Sequence, residues 1–563
     1  FLTEGLSFKA LASFKNWSSS TNARAGKWNR FALTGYEEDG NGGYTYTTSR
    51  IGDEFQTDLT ATNSTSGDRR FYLEGMLNYS RTFDEHDINA MFIYSQDEYV
   101  NNVPGNGNFI GSLPKRKQGI AARASYAYAG KYMAEVNVGY NGSENFAKGH
   151  RFGLFPSVAV GYNISEENFF KPLKNTISKL KLRASWGLVG NDQISDARFL
   201  YMSQINLSGK GFTTGVNQNV TYSGPVYQRY ANEDITWEVG EKINFGVDLQ
   251  LFRSLDLTFD IFRENRRDIF QEKQTVPTYM GTASTKVYGN LAAMRNQGFE
   301  LAASYNKQFN KDWFVSFKGT FTYAHNEITK YDESPKYPWQ SKVGASANMN
   351  AIYIADGLFI DSEDIAHHQQ QLGSTIVPGD IKYVNVSRDW YGYDDNLTDT
   401  DDWVWAKYPS VPEIVYGFGP SIKWKNLDFS FFFQGVAKTS FMVKDMHPFG
   451  DNSLRNVLSW IADERWSPDN QNTNATYPRL SRKTNANNTK LSTYWQRNGA
   501  FLKLKNAEIG YTHKNMRIYI SGSNLLTFAP FKLWDPEQGG GSGLSYPTQR
   551  VFNIGFQMTI NNK

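Results

Sequence analysis

Seven histidines, at positions 86, 150, 325, 367, 368, 447 and 513, are the side chains best suited to acid–base or metal chemistry in this 563-residue chain. Their spacing does not assemble a site. There is no H-E-x-x-H, no histidine–carboxylate cluster at metal-ligand spacing, and His367 and His368 are simply neighbours in a polar stretch. Cysteine is absent, which removes disulfides, thiolate metal sites and cysteine nucleophiles together. No G-x-S-x-G nucleophile elbow occurs, and "GNGGYTY" (40–46) lacks the following helix that a phosphate loop needs. Carboxylates facing each other across strands can mimic a glycosidase pair, but among so many acidic side chains that spacing discriminates nothing. The sequence supplies no catalytic constellation, and no enzyme is expected.

Binding chemistry is better represented. "SRDWYGYDDN" (387–396) and "DDWVWAKY" (401–408) concentrate Trp390, Tyr391, Tyr393, Trp403 and Trp405 among hydrogen-bond acceptors, and "SPKYPWQ" (334–340) adds Tyr337 and Trp339. Flat aromatic faces beside polar groups suit sugar rings or peptide backbones, burying apolar area while orienting the ligand. The same composition also suits loop-on-loop packing or a protein partner. Asp394, Asp395, Asp399, Asp401 and Asp402 offer carboxylates for Ca²⁺, or make a solvated acidic loop. In "NSLRNVLSWIADERWSP" (452–468), Leu454, Val457, Leu458 and Ile461 recur at helical spacing, with Asn452 or Ser453 as cap and Pro468 as stop.

The elements that must position these loops are strands. In "RVFNIGFQMTI" (550–560), Phe552, Ile554, Phe556, Met558 and Ile560 share one parity, opposite Asn553, Gly555, Gln557 and Thr559. Alternate side chains of a strand point to opposite faces, so one face here is greasy and the other mostly polar. The pattern recurs in "FYLEGMLNYS" (71–80), "KINFGVDLQL" (242–251), "LDLTFDIF" (255–262) and "DWFVSFKGTFTY" (312–323). In all, roughly 17 such segments of about 9–14 residues occur, the length of tilted membrane strands rather than of soluble ones. Short turns such as "YAGKY" (128–132) and "HKNMR" (513–517) alternate with long stretches near 191–234, 271–295, 327–411 and 438–499. Aromatics recur near strand ends at Tyr79, Tyr94, Trp313, Tyr323 and Tyr511, as girdles at lipid headgroups require.

The bulk numbers agree. Aromatics make up 15% of a chain that is hydrophilic on average, and no apolar run approaches the length of a membrane helix. A formal charge of +3 with no basic stripe gives no reason to expect nucleic acid. No propeller-like repeat near 40–50 residues is present. The expected fold is all-β, an antiparallel transmembrane β-barrel with long loops at one end.

Several blocks carry a family resemblance. "FPSVAVGYNISEENFFK" (155–171), "LKLRASWGLVGND" (180–192), "NQGFELAASY" (296–305), "YIADGLF" (353–359), "ERWSPDNQNTNATYPRL" (464–480), "YWQRNGAFLKLKNAEIGY" (494–511), "SGSNLLTF" (521–528) and "YPTQRVFNIGF" (546–556) occur in family order. Together they resemble the SusC/RagA-type TonB-dependent outer-membrane transporters. The resemblance implies a 22-stranded barrel plugged by an N-terminal domain, in the bacterial outer membrane and in contact with its lipid. It implies import of oligosaccharides or peptides, driven through TonB–ExbB–ExbD, with a SusD-like lipoprotein as lid. No plug sequence and no TonB box occur in residues 1–563, so this stretch is expected to be the C-terminal part of the barrel. The plug and first strands are then expected outside it. The family stretch corresponding to 379–403 often reads as a calcium loop, D-x-N-G-D-G-x-I. Here Asn385, Ser387 and Asp389 keep oxygen ligands without the turn glycine, so the cation set to expect is Asn385, Asp389, Asp394 and Asp395.

Three rival functions share these features to different degrees. An ungated porin, or a scaffold barrel for other surface lipoproteins, would share every strand. A soluble carbohydrate-binding β protein would leave cells without detergent. An outer-membrane enzyme lacks its constellation.

Overall fold

Sixteen strands form one antiparallel sheet in which each pairs with its neighbour in the sheet's chain order. The computed structural model describes residues 3–26, 29–52, 58–103, 109–277, 279, 285–371, 375–393, 397–444, 457–481 and 485–560. The strands are β1 (Leu6–Ala25), β2 (Thr60–Phe83), β3 (His86–Asn101), β4 (Lys115–Tyr128), β5 (Tyr132–Ser143) and β6 (Phe152–Asn163). β7 (Ile177–Asn191), β8 (Glu238–Leu251), β9 (Leu255–Glu272), β10 (Tyr288–Gln308) and β11 (Trp313–Lys330) follow. β12 (Ile414–Trp424), β13 (Leu427–Ala437), β14 (Phe501–His513), β15 (Met516–Phe528) and β16 (Val551–Met558) complete the sheet.

Register turns the alternation of single strands into continuous surfaces. Ile554, Ile520, Ile509, Phe429, Ile422 and Val315 lie side by side across β16 to β11. One residue away on the other face, Asn553, Ser521, Glu508, Ser430, Ser421 and Ser316 form the matching row. The apolar row continues elsewhere as Tyr132, Tyr162, Leu182, Val247, Phe259, Leu301, Phe321 and Tyr416. These greasy side chains are not in a packed interior: Phe552 is 69% exposed and Ile554 82%. An apolar belt of this extent on the outside is a lipid-facing surface.

The opposite face is charged and internally paired. Arg183 bridges Asp248 (3.0 Å) and Asp260 (3.1 Å) on the next two strands, and Arg123 pairs with Glu135 at 2.5 Å. Arg517 is held between Asp428 and Glu508. The pairs join side chains on adjacent strands or across one intervening strand, which suits a hydrated wall where exposed charges match across a ladder.

Aromatic rings mark the belt's borders. Tyr132 stacks on Tyr162 with ring centres 5.1 Å apart, and Trp313 on Trp424 at 5.7 Å, both beside the short turns. Tyr140 stacks on Phe152 at 5.0 Å towards the long loops. The connections alternate strictly. Those at one end are 84–85, 129–131, 252–254, 309–312, 425–426 and 514–515, all short, and the longer 164–176; all the others leave from the opposite end. Several tight turns use left-handed backbone, as at Phe252 (φ 52°) and Arg253 (φ 54°), the hand that matches strand twist in a two-stranded hairpin.

Two features depart from the sequence expectation. Strands run up to 24 residues, well beyond the membrane, because their ends continue as polar ladders such as Trp17–Ala25 against Thr60–Asp68. Long connections also contain strands of their own: Arg30–Glu38 with Tyr44–Ile51, and Gln204–Thr214 with Val220–Arg229.

Ile520→Arg should destabilise the folded protein by about 2–4 kcal/mol if it sits at the bilayer midplane. Ser521→Arg, one residue along and facing Glu508, should change it little. Denaturant midpoints of the protein refolded into lipid vesicles check both.

Candidate functional site

The long connections 331–413 and 438–500 fold onto each other above the sheet. They hold the largest packed core among the described residues, where Leu358, Ile381, Tyr383, Ile461, Trp466, Tyr477 and Trp495 are buried together. Phe531, from the connection between β15 and β16, joins them. The local turns are built by side-chain caps. Asp361 accepts from the Asp364 amide (2.8 Å) to start helix Ser362–His367, and Asn385 accepts from the Arg388 amide (2.9 Å) to start Val386–Asp389.

A buried polar knot joins the two connections. Asp380 is fully buried and receives Arg479 Nε at 2.6 Å, Asn485 Nδ2 at 2.8 Å and Asn488 Nδ2 at 3.0 Å. Gln371 accepts from the Tyr383 amide (2.7 Å) and donates to Asn487 (2.9 Å), while the Tyr383 hydroxyl donates to the Asn487 carbonyl at 2.7 Å. Gly379, at φ +86°, lets the chain pass flat against the Trp466 ring, where a Cβ would collide with the indole. Buried polar groups so fully satisfied specify one packing.

Burial raises the Tyr383, Tyr477 and Tyr494 phenols above their ordinary value. Burial lowers the Lys490 ammonium, against the pull of Asp399 and Asp402; its Nζ lies 5.0 Å from the Tyr353 ring centre.

The aromatic residues of the first connection divide into two groups. Trp339 lies parallel to Tyr337 (4.4 Å, 9°) and to Tyr391 (4.2 Å, 14°), so both its faces are covered, and its Nε1 donates to the Asp401 carbonyl at 3.0 Å. Trp405 donates to the Ser341 carbonyl at 2.6 Å and meets Trp403 edge to face. Those three tryptophans are half-buried. Trp390, Tyr391 and Tyr393 are each about half exposed, at 54%, 50% and 52%, and present ring surface to solvent.

The acidic residues tie the same loop. Asp402 accepts from the Ser387 amide (2.9 Å) and the Asp399 amide (2.8 Å); Asp399 accepts from the Asp401 amide (2.7 Å), and Asp401 pairs with Lys336. Asn385 is the helix cap and Asp389 an exposed residue of that helix, while Asp394 and Asp395 lie outside the described residues. Among the described residues no group of three or more histidine, aspartate or glutamate side chains converges on a cation position. In the 452–468 stretch a helix covers Ser459–Glu464 with Ile461 buried; Asn452, Ser453 and Leu454 lie outside the described residues.

The polar knot and the hairpins had left weak signals. Asp380, Arg479 and Asn485 are far apart in the chain, and nothing local marks them as partners. The hairpin at 30–51, not expected from the sequence, does carry a turn signal: Asn41-Gly42 lies between the paired runs, and Asp39 caps the turn by accepting from the Asn41 and Gly43 amides, both at 2.9 Å.

Residues 3–525 match the family model described as TonB dependent receptor-like, beta-barrel. The chain is 26% identical to TonB-dependent receptor P3 of Formosa agariphila, over 86% of its own length and 52% of that protein's. It is 25% identical to TonB-dependent receptor SusC of Bacteroides thetaiotaomicron, over 77% of its length and 43% of that protein's. The chain thus spans about half the length of these curated relatives. Among solved structures, the RagAB peptide importer in the open-open state superposes with a TM-score of 0.72 at 20% identity, covering 99% of this chain and 59% of that one.

Raised phenol values mean that folding keeps protons on Tyr383, Tyr477 and Tyr494 which the unfolded chain releases near pH 10. The stability they support is complete below that pH and is lost as pH rises through it; the single lysine, Lys490, works in the opposite sense. Limited proteolysis should therefore cut the long connections faster at pH 10.5 than at pH 8, with the sheet still resistant.

Proposed function

The chain belongs to the family of TonB-dependent receptor-like β-barrels, and from that membership we propose that it is wall and mouth of an importer of bulky nutrients, oligosaccharides or peptides. Its barrel lies in the bacterial outer membrane. In this reading the charged inner wall is the passage, and a plug blocks it until TonB–ExbB–ExbD, drawing on the proton-motive force, pulls the block aside. A SusD-like lipoprotein closes over the long loops and traps the ligand. No step makes or breaks a covalent bond in the nutrient.

The observation that carries this reading is the half-exposed trio Trp390, Tyr391 and Tyr393, of which Tyr391 and Tyr393 lie on the stacked and hydrogen-bonded Trp339 base at the loop end of a polar-lined sheet. Rings held in place lose little conformational freedom when a ligand stacks on them. Their positions give a capture surface at the mouth, while the paired charges of the wall keep the passage wet without leaving lone charges to trap cargo. The RagAB relative is described as a peptide importer and SusC as a TonB-dependent receptor; both descriptions are consistent with a large cargo here.

Uptake of labelled oligosaccharides and peptides by cells carrying the protein tests the reading. Import of at least one class should stop when a protonophore collapses the proton-motive force; uptake that continues would make this an ungated barrel. The double substitution Trp390→Ala with Tyr391→Ala should lower uptake at low ligand concentration about tenfold. The amount of heat-modifiable barrel in the membrane should be unchanged.

A further inference from the structure

A second concavity in the loop unit lies apart from the Trp390 surface. It is a cleft of about 240 Å³, walled by the indole of Trp460, the buried rings of Trp495 and Phe531, and Val443. That is smaller than a pocket for a drug-sized molecule and has room for a single ring. Its rim is polar, formed by Glu464, Asn498, Arg497 and Lys532.

The hydrogen-bonding capacity left over at that rim identifies what it would hold. Arg497 uses Nη1 on the Tyr494 and Gln496 carbonyls, at 2.6 and 3.0 Å, which fixes the guanidinium and leaves its other edge. Among the described residues no carboxylate pairs with Arg497 or with Lys532. Glu464 has one oxygen engaged by the Thr476 hydroxyl at 2.7 Å, and Asn498 uses its Oδ1 on the Ala500 amide at 2.9 Å, leaving its NH₂. Two cations, an amide donor and one remaining carboxylate oxygen therefore line the same aromatic-walled cleft.

The backbone of the wall offers little. Residues Ser440–Met442 pair with Gln496–Asn498 on one side, and Met442 and Lys444 bond Gly541 on the other. An extended peptide adding a strand finds that edge taken. Recognition in the cleft must run through ring faces and side-chain donors, the combination that suits a sugar ring bearing a negative charge.

We propose that the cleft bounded by Trp460, Trp495, Phe531, Arg497 and Lys532 is a subsite for one acidic sugar residue of a glycan, its charge a carboxylate or a sulfate ester. This rests on the importer reading and narrows its cargo to anionic glycans. Arg497 and Lys532 receive the acid group, Asn498 and Glu464 the ring hydroxyls, and an aromatic wall the apolar face of the ring.

Titration calorimetry on the complete detergent-solubilised protein tests it. The probes are trimers of glucuronate, galacturonate and mannuronate, a sulfated galactose trimer, and neutral glucose and galactose trimers. At least one acidic trimer should bind tenfold or more tightly than the neutral ones, and whether a uronate or the sulfated trimer does so assigns the acid group. Lys532→Gln should weaken that binding about tenfold, the loss of one charge-assisted hydrogen bond, and leave neutral trimers unaffected. Lys532 is exposed, so its replacement does not threaten folding. Glu464→Gln should tighten acidic binding by removing a like charge.

Equal affinity for acidic and neutral trimers, no binding by any trimer, or indifference to Lys532→Gln would each overturn the proposal. Force-dependent uptake alongside such a result leaves the importer standing. Lys532-dependent acidic binding alongside protonophore-insensitive uptake supports the subsite and overturns the importer.

Discussion

A backbone amide inside a bilayer has no water to bond, so every N–H and C=O in the hydrocarbon must find a partner within the protein. An antiparallel ladder meets that demand while leaving side chains free to differ on its two faces. The sixteen paired strands are one consequence. The strict two-residue alternation is the other, since a one-residue slip anywhere would turn a row such as Ile554–Ile520–Ile509 inward and carry Glu508 into lipid. Register is thereby held by both faces at once, and few other features of the sheet need specifying.

The same constraint explains where the protein keeps its dry core. A barrel with lipid outside and a wet passage inside has nowhere to bury side chains between two layers. The packed cluster around Tyr383, Trp466 and Trp495 forms instead in the loops, which stand in water and must fold as ordinary globular protein does. There the usual devices reappear: helix caps at Asp361 and Asn385, a left-handed glycine at 379, and a buried ion pair between Asp380 and Arg479. An ion pair of that kind adds little net stability, but either partner left alone would be expensive, so it fixes which two loops dock and in what alignment.

This division decided what could be read from the sequence. Alternation is local and repeats in every strand, so the barrel, its turns and its aromatic borders were legible from segments such as 242–262 and 550–560. Family blocks added the transporter reading. The loop unit obeys no short period. Trp339 and Tyr391 are 52 positions apart and Asp380 and Arg479 99 apart, and only the fold reveals them as neighbours. Composition picked out Trp339, Trp390, Tyr391, Tyr393, Trp403 and Trp405 as candidate ligand contacts. It could not separate rings that hold the loop from rings that face solvent, because that depends on which faces are already stacked.

A rigid mouth on a hydrated tube has a mechanical implication. Loops that were merely flexible would lose conformational entropy each time a ligand ordered them, and affinity would fall accordingly. Among the described residues much of that ordering is built in: Trp339 is clamped between two tyrosines, Arg497 is fixed by two carbonyls, and the knot at Asp380 holds one loop to the other. Tyr391 and Tyr393, which lie against Trp339, are thereby tied to the loop unit. Opening or closing such a mouth requires displacing the unit as a whole, or covering it from outside, rather than melting its parts. In the importer reading, that places any gate beneath the loops or above them, with the loop unit as a frame.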